Sequence, residues 1–254
     1  SVSRDKVILA TKVYFNEGRL SKEAIFREID STLKRLQTDY LDLYIIHRFD
    51  YDTPMEETME ALNELVKCGK VRAIGASAMY GYQFHNMQII ARDNHWTPFS
   101  TMENHYNLLY REDEKELIPI CQQMNVSLMP YSPLAGGRLA KQPGVMTKRL
   151  KEDTYAKFKY DQTAKMDQEI IDRVYKLAKK HQVSMSEISL AWLLTKVSAP
   201  IVGTTKLEQI DAMVKSTEIT LSPAEIKYLE ECYLPHPLVG VMAQNGKQKA
   251  GNVV

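Results

Sequence analysis

The chain lacks most of the features that would commit it to a membrane, a metal or a disulfide framework. Its three cysteines, Cys68, Cys121 and Cys232, are far apart, odd in number and without metal-ligand spacing. That excludes a stapled secreted scaffold and leaves reduced thiols in a cytoplasmic protein as the expectation. No apolar run approaches the roughly 18 residues of a membrane span, and no signal peptide is visible. Lys and Arg total 33 against 32 Asp and Glu, a net charge of +1, so nothing electrostatic points to nucleic acid as a partner. No G-x-G-x-x-G follows a strand, which removes the open dinucleotide-binding sheet of that type. An initiator methionine is also lacking: the chain opens on Ser1-Val2-Ser3-Arg4-Asp5 and runs straight into a strand.

What is there is a rhythm. With 254 residues, 44% hydrophobic and 26% charged, the chain suits one large α/β domain or two smaller ones. Strands are expected at Val7–Val13, at the apolar run within Tyr40–Asp50, and at Val71–Ser77, Phe99–Glu103, Val126–Tyr131 and Pro200–Val202. Between them lie helical stripes. Ser21 caps a helix carrying Ile25, Ile29, Leu33 and Leu36. Pro54 starts one with Met55, Met59, Leu62 and Leu65 that stops at Gly69. Others carry Phe84, Met87 and Ile90, then Leu117, Ile118 and Cys121. A polar loop is expected from Ala135 to Lys165, of a length usually reserved for lids. Helices at Asp167–His181 and Ser184–Leu194 follow it, Gly203-Thr-Thr205 opens another, Ser222-Pro223 caps the last, and the tail from Asn245 to Val254 is expected to fray.

Alternating strands and helices argue for a parallel sheet with helical cover, with no composition shift to mark a domain boundary. Polar residues fall at the ends of six successive strands: Lys12, His47, Ser77, Glu103, Tyr131, and Gly203 onward. A closed barrel brings such ends to one mouth, whereas an open sheet spreads them along an edge. The barrel fits better, although such a barrel has eight strands and only six can be counted. Taken alone, His47 fits a core histidine as well as a catalytic one, and Lys12 fits a strand-end lysine paired to some carboxylate. Thr204 and Thr205 also serve as plain N-caps, Tyr131 as core, and the basic run after Arg138 as a solvated face. His105 reads as packing beside the site.

The order Ala-Thr-Lys, Leu-Asp-Leu-Tyr-Ile-Ile-His, Lys-Val-Arg-Ala-Ile-Gly-Ala-Ser, Glu-Asn-His-Tyr-Asn, Tyr-Ser-Pro-Leu and Pro-Ile-Val-Gly-Thr resembles the aldo-keto reductase superfamily, from its third barrel strand onward. The resemblance implies a (β/α)8 TIM barrel, with strands 1 and 2 absent from the chain as given, in one domain over residues 1–254. It implies reduction of aldehydes and ketones with NADP as cofactor and a small carbonyl compound as substrate. Lys12 would match the active-site lysine that lowers the pKa of a tyrosine. His47 would orient the carbonyl, Ser77 would hold the nicotinamide carboxamide, and Tyr131 would stack on the ring. Ser132, Pro133 and Leu134 with Arg138 would wrap the pyrophosphate. Gly203, Thr204, Thr205, Lys206 and Gln209 would meet the 2′-phosphate, favouring NADP over NAD.

Three departures stand out. The catalytic tyrosine and the lysine's aspartate partner have no match here, so the chain alone is expected to turn over poorly. Glu103 stands where a glutamine is common, and Ala212 and Met213 replace polar residues near the adenine. Two alternatives remain open: a non-catalytic nucleotide-binding subunit of the same fold, like the potassium-channel β subunits, or a truncated reductase.

Overall fold

The structure is a computed structural model that describes residues 2–145, 147–204 and 206–245. Thr205 and the expected frayed tail beyond Asn245 lie outside the described residues. The chain forms two compact units, Ser1–Glu103 with Glu116–Ser127, and Asn104–Lys115 with Leu128–Val254.

The first unit carries the sheet as far as Ser127. Strands β1 (Ala10–Val13), β2 (Leu41–Ile46), β3 (Val71–Ser77), β4 (Thr101–Glu103) and β5 (Ser127–Leu128) follow one another in sequential order. The pairs β1–β2, β2–β3 and β3–β4 are parallel. Crossover helices α1 (Lys22–Leu36), α2 (Met55–Lys67), α3 (Gly81–Asp93) and α4 (Leu117–Gln123) join them, as parallel neighbours require. Ser21 caps α1 as expected, its hydroxyl accepting from the Ala24 N–H, and the α1 stripe buries Ile25 and Ile29 completely. Tyr44, Ile46, Ile74 and Met102, all fully buried, make up one face of the sheet, the continuous apolar character of strands covered on both sides.

The strands differ from expectation in four places. β4 starts at Thr101 and not Phe99, and β5 covers only Ser127–Leu128 of the expected Val126–Tyr131, leaving Tyr131 in an isolated bridge with His105. β1 is shorter than expected, because the Leu9 N–H donates to the Asp42 carboxylate and Ile8 stays 81% exposed. Pro200–Val202, expected as a sixth strand, is not one. Its Ile201 N–H reaches the Pro130 carbonyl at 2.9 Å, but prolines at 130 and 200 have no N–H to extend a ladder.

The second unit is helical: α5 (Lys148–Glu152), α6 (Thr154–Tyr160), α7 (Ala164–His181), α8 (Met185–Leu194), α9 (Leu207–Lys215), α10 (Pro223–Glu230) and α11 (Val241–Asn245). The segment read as a loop from Ala135 to Lys165 thus contains α5, α6 and the start of α7, with Asp153 capping α6 by accepting from the Ala156 N–H at 2.8 Å. Capping boxes at Ser184 and Ser222 start α8 and α10. Among the described residues, no helix is long and apolar enough to cross a membrane.

Candidate active site

Strand register places the expected residues of the first unit. Side chains alternate between faces with a period of two. Lys12 is paired with Ile45, Ile45 with Gly75 and Gly75 with Thr101, so these four make one level on one face. One step further along that face come His47, Ser77 and Glu103, the last two paired directly, and the His47 N–H donates to the Val13 carbonyl at 2.9 Å. Lys12, His47, Ser77 and Glu103 therefore share one face at the C-terminal ends of four consecutive parallel strands. A side chain at Gly75 would crowd this level, since a Cβ there would lie 2.3 Å from Thr101 Oγ1.

The electrostatics of this face are specific. Lys12 Nζ lies 3.0 Å from Glu103 Oε2, and Glu103 is 5% exposed. Burial raises the Glu103 carboxyl above its usual range, against the opposing pull of Lys12. Glu103 Oε2 has the Lys12 ammonium as its close partner. The Ser77 hydroxyl donates to the Glu103 backbone carbonyl at 2.8 Å, which leaves its oxygen as an acceptor. Burial lowers the pKa of His47, with the Lys12 and Arg48 charges adding to the shift, so its imidazole is neutral near pH 7 and one ring nitrogen carries a proton to donate. Phe15, 69% exposed, stands edge-on to the His47 ring at 5.0 Å, with the Arg48 guanidinium 4.7 Å from its own ring centre.

The second unit gathers a different set. Tyr131 is held by its N–H donating to the Asn104 carbonyl at 2.9 Å, and its ring stacks on His105 at 5.2 Å. His105 in turn stacks on Tyr110 at 4.3 Å, and its Nε2 lies 2.7 Å from the Tyr160 hydroxyl. Full burial, followed by the charge of Lys159, takes the His105 pKa well below the ordinary value, which agrees with a packing role. Ser132 has a φ of +56°, and its hydroxyl accepts from Lys159 Nζ at 2.8 Å. Pro133 is buried and Leu134 half-buried, and the turn after them is closed by its own N–H groups: Ala135 donates to the Ser132 carbonyl and Gly137 to the Leu134 carbonyl. Arg138 is paired with Asp161 and lies over the Tyr160 ring. Gly203, Thr204 and Lys206 lead into α9, and Gln209 lies in its first turn. There the Thr204 oxygen accepts from the Lys206 N–H at 3.1 Å, and its side chain also meets that of Gln209. Helix α9 begins at Leu207, later than the Gly203 start expected.

Lys159, Tyr160 and Asn107 were not expected. Lys159 is 6% exposed, with its ammonium 5.7, 5.0 and 5.4 Å from the ring centres of Tyr131, Tyr155 and Tyr160. Asn107 donates to the Ser132 carbonyl at 2.9 Å and to the Tyr160 hydroxyl at 3.1 Å. The sequence signal was Asp153, an N-cap three residues before Ala156, which would have made a helix of the lysine-rich segment.

Ammonium, imidazole, hydroxyl and carboxylate thus meet at the strand ends of one parallel sheet, a set of groups chemically able to polarise and orient a polar group. The aldo/keto reductase family model matches residues 1–234, and the chain belongs to that family. It is 42% identical over 231 residues to an aldo-keto reductase of Fusarium vanettenii, aligned over 91% of this chain and 62% of that one. Against a putative aryl-alcohol dehydrogenase of Saccharomyces cerevisiae it is 39% identical over 259 residues, covering 92% of this chain and 75% of that one. A solved thermostable aldo-keto reductase in complex with the inhibitor epalrestat matches with a TM-score of 0.71 and 28% identity, over 91% of this chain and 73% of that one. The chain thus spans 62% of the length of the Fusarium relative.

Proposed function

We propose that this chain carries the nicotinamide end of an NADP-dependent carbonyl reductase site, in a barrel of the (β/α)8 type. The observation that carries the reading is the shared face of Lys12, His47, Ser77 and Glu103 at four successive strand ends. The set suits a carboxamide. Ser77 Oγ and the Glu103 carboxylate both offer acceptor lone pairs, the latter buried with the Lys12 ammonium beside it, as the NH2 of a nicotinamide would require. The bound cofactor would supply hydride chemistry. The chain's own residues do the rest: neutral His47 donates a hydrogen bond to a carbonyl oxygen, and Lys12 places positive charge beside it. The tyrosine proton donor that the resemblance implies is not matched within these 254 residues.

In the second unit, the Tyr131 face is suited to stacking on an aromatic ring. Ser132, Pro133, Leu134, Lys159 and Arg138 offer a hydroxyl and two cations to phosphate oxygens, and Gly203, Thr204, Lys206 and Gln209 offer a hydroxyl, an amide and one cation, each group on its own geometry. The substrate is a small carbonyl compound, and exposed Phe15 against His47 favours an aromatic one. A titration of the chain with NADPH and with NADH, followed by nicotinamide fluorescence, tests this. Saturable binding with NADPH the tighter ligand is expected; no binding of either would overturn the reading.

A further inference from the structure

Glu103 gives the site a property beyond holding a carboxamide, and the argument rests on the nicotinamide reading above. A lone ammonium at Lys12 would repel a cationic ring placed against the same face. The buried Glu103 carboxylate, 3.0 Å from Lys12 Nζ, cancels that charge. The two redox forms of a nicotinamide differ by one positive charge on the ring, so the net charge of this pair acts on one form and not the other. We propose that Glu103 makes this site prefer the oxidised, cationic form of the nicotinamide cofactor, NADP+ over NADPH, relative to the same site with a neutral amide at that position. His47 adds no opposing charge, because burial keeps it neutral near pH 7. Ser77, whose hydroxyl points to the Glu103 backbone carbonyl, adds none either. Burial raises the Glu103 carboxyl above the usual carboxylate range against the opposing pull of Lys12, so the measurements are made at pH 8, where ionisation is favoured.

The test measures affinity and does not depend on turnover. NADP+ and NADPH are titrated separately by calorimetry at pH 8 into the chain and into Glu103→Gln, Lys12→Met and the double variant, with circular dichroism checking each fold. Glu103→Gln leaves an uncompensated cation, and its preference for NADP+ over NADPH should fall at least about tenfold, a unit charge within about 12 Å of the ring at an effective dielectric near 20 being worth that much or more. Lys12→Met should raise the preference above wild type. The double variant, neutral again, should return near the wild-type ratio, so the order survives the loss of any one variant to misfolding. A ratio within twofold across the set, or a reversed order, overturns the inference while leaving cofactor binding intact. Failure of both nucleotides to bind the wild-type chain overturns the inference and the underlying reading together.

Discussion

Lys12 Nζ meets Glu103 Oε2 at 3.0 Å although β1 and β4 are three steps apart in the sheet. In a flat sheet those strands would be about 14 Å apart, from a spacing near 4.8 Å, with side chains projecting perpendicular to the plane. The contact therefore requires the sheet to curl toward the face bearing both residues. This curl is what brings polar strand ends together in an α/β barrel.

Breaking the pair from one side should cost stability. Lys12→Met leaves a buried carboxylate alone and is expected to destabilise the chain by about 2 kcal/mol, below the 3–5 of a fully buried pair because the Lys12 side chain is 30% exposed. Adding Glu103→Gln should recover more than half of that loss. Urea unfolding of the two single variants and the double variant measures the coupling; additive losses would contradict it.

Stability should peak near pH 6.5. His236 Nδ1 faces the Leu234 carbonyl at 2.6 Å and Nε2 the Asp167 carboxylate at 2.8 Å, and since both partners only accept, both nitrogens donate and the ring is a cation. Despite burial, Asp167, the Leu234 carbonyl and Glu112 raise its pKa above 6.5, with Tyr233 stacked on it and Tyr110 edge-on. Its contribution is complete below 6.5 and is lost as pH rises through the raised value. His105, buried and neutral, has the opposite sign: its contribution is complete above 6.5 and lost as pH falls. Urea midpoints between pH 5 and 9 should form a dome whose alkaline side flattens in His236→Gln; an unchanged alkaline slope would contradict the cationic assignment.

Gly75 belongs to the Lys12 level of the sheet. Gly75→Ala would set a methyl 2.3 Å from Thr101 Oγ1, with an expected cost of about 1–3 kcal/mol from overpacking. Thr101→Ala in the same chain should restore most of it, read as the thermal midpoint. No rescue would mean that the backbone, not the threonine, resists the methyl.

Lys159 is the second unit's least expected group. Lys159→Met is expected to weaken NADPH binding about tenfold, through loss of a buried cation beside Ser132, with little change in the preference between oxidised and reduced forms. Calorimetry reads both quantities, and unchanged affinity would remove Lys159 from the phosphate set.

Strand ends were legible from sequence because a buried parallel strand is an apolar run, and a polar residue at its tip stands out; Lys12, His47, Ser77 and Glu103 all came from that signal. Their pairing was not legible, since nothing in Thr-Met-Glu says which strand lies across the curl. The lysine-rich α6 read as loop because three of its seven residues are aromatic and two are lysine, which hides any stripe. Pro200–Val202 read as a strand from composition alone, whereas the prolines deny it a ladder. Helix α1 ends on Gln37 and α7 on Gln182, both left-handed without the glycine that usually marks such a stop.

The most direct test of the site is a structure of this chain with NADPH bound. The carboxamide nitrogen is expected within hydrogen-bonding distance of Ser77 Oγ and Glu103 Oε2, with the ring against the face shared by Lys12 and His47. A nicotinamide seated away from these four residues, with the nucleotide otherwise ordered, would contradict the assignment.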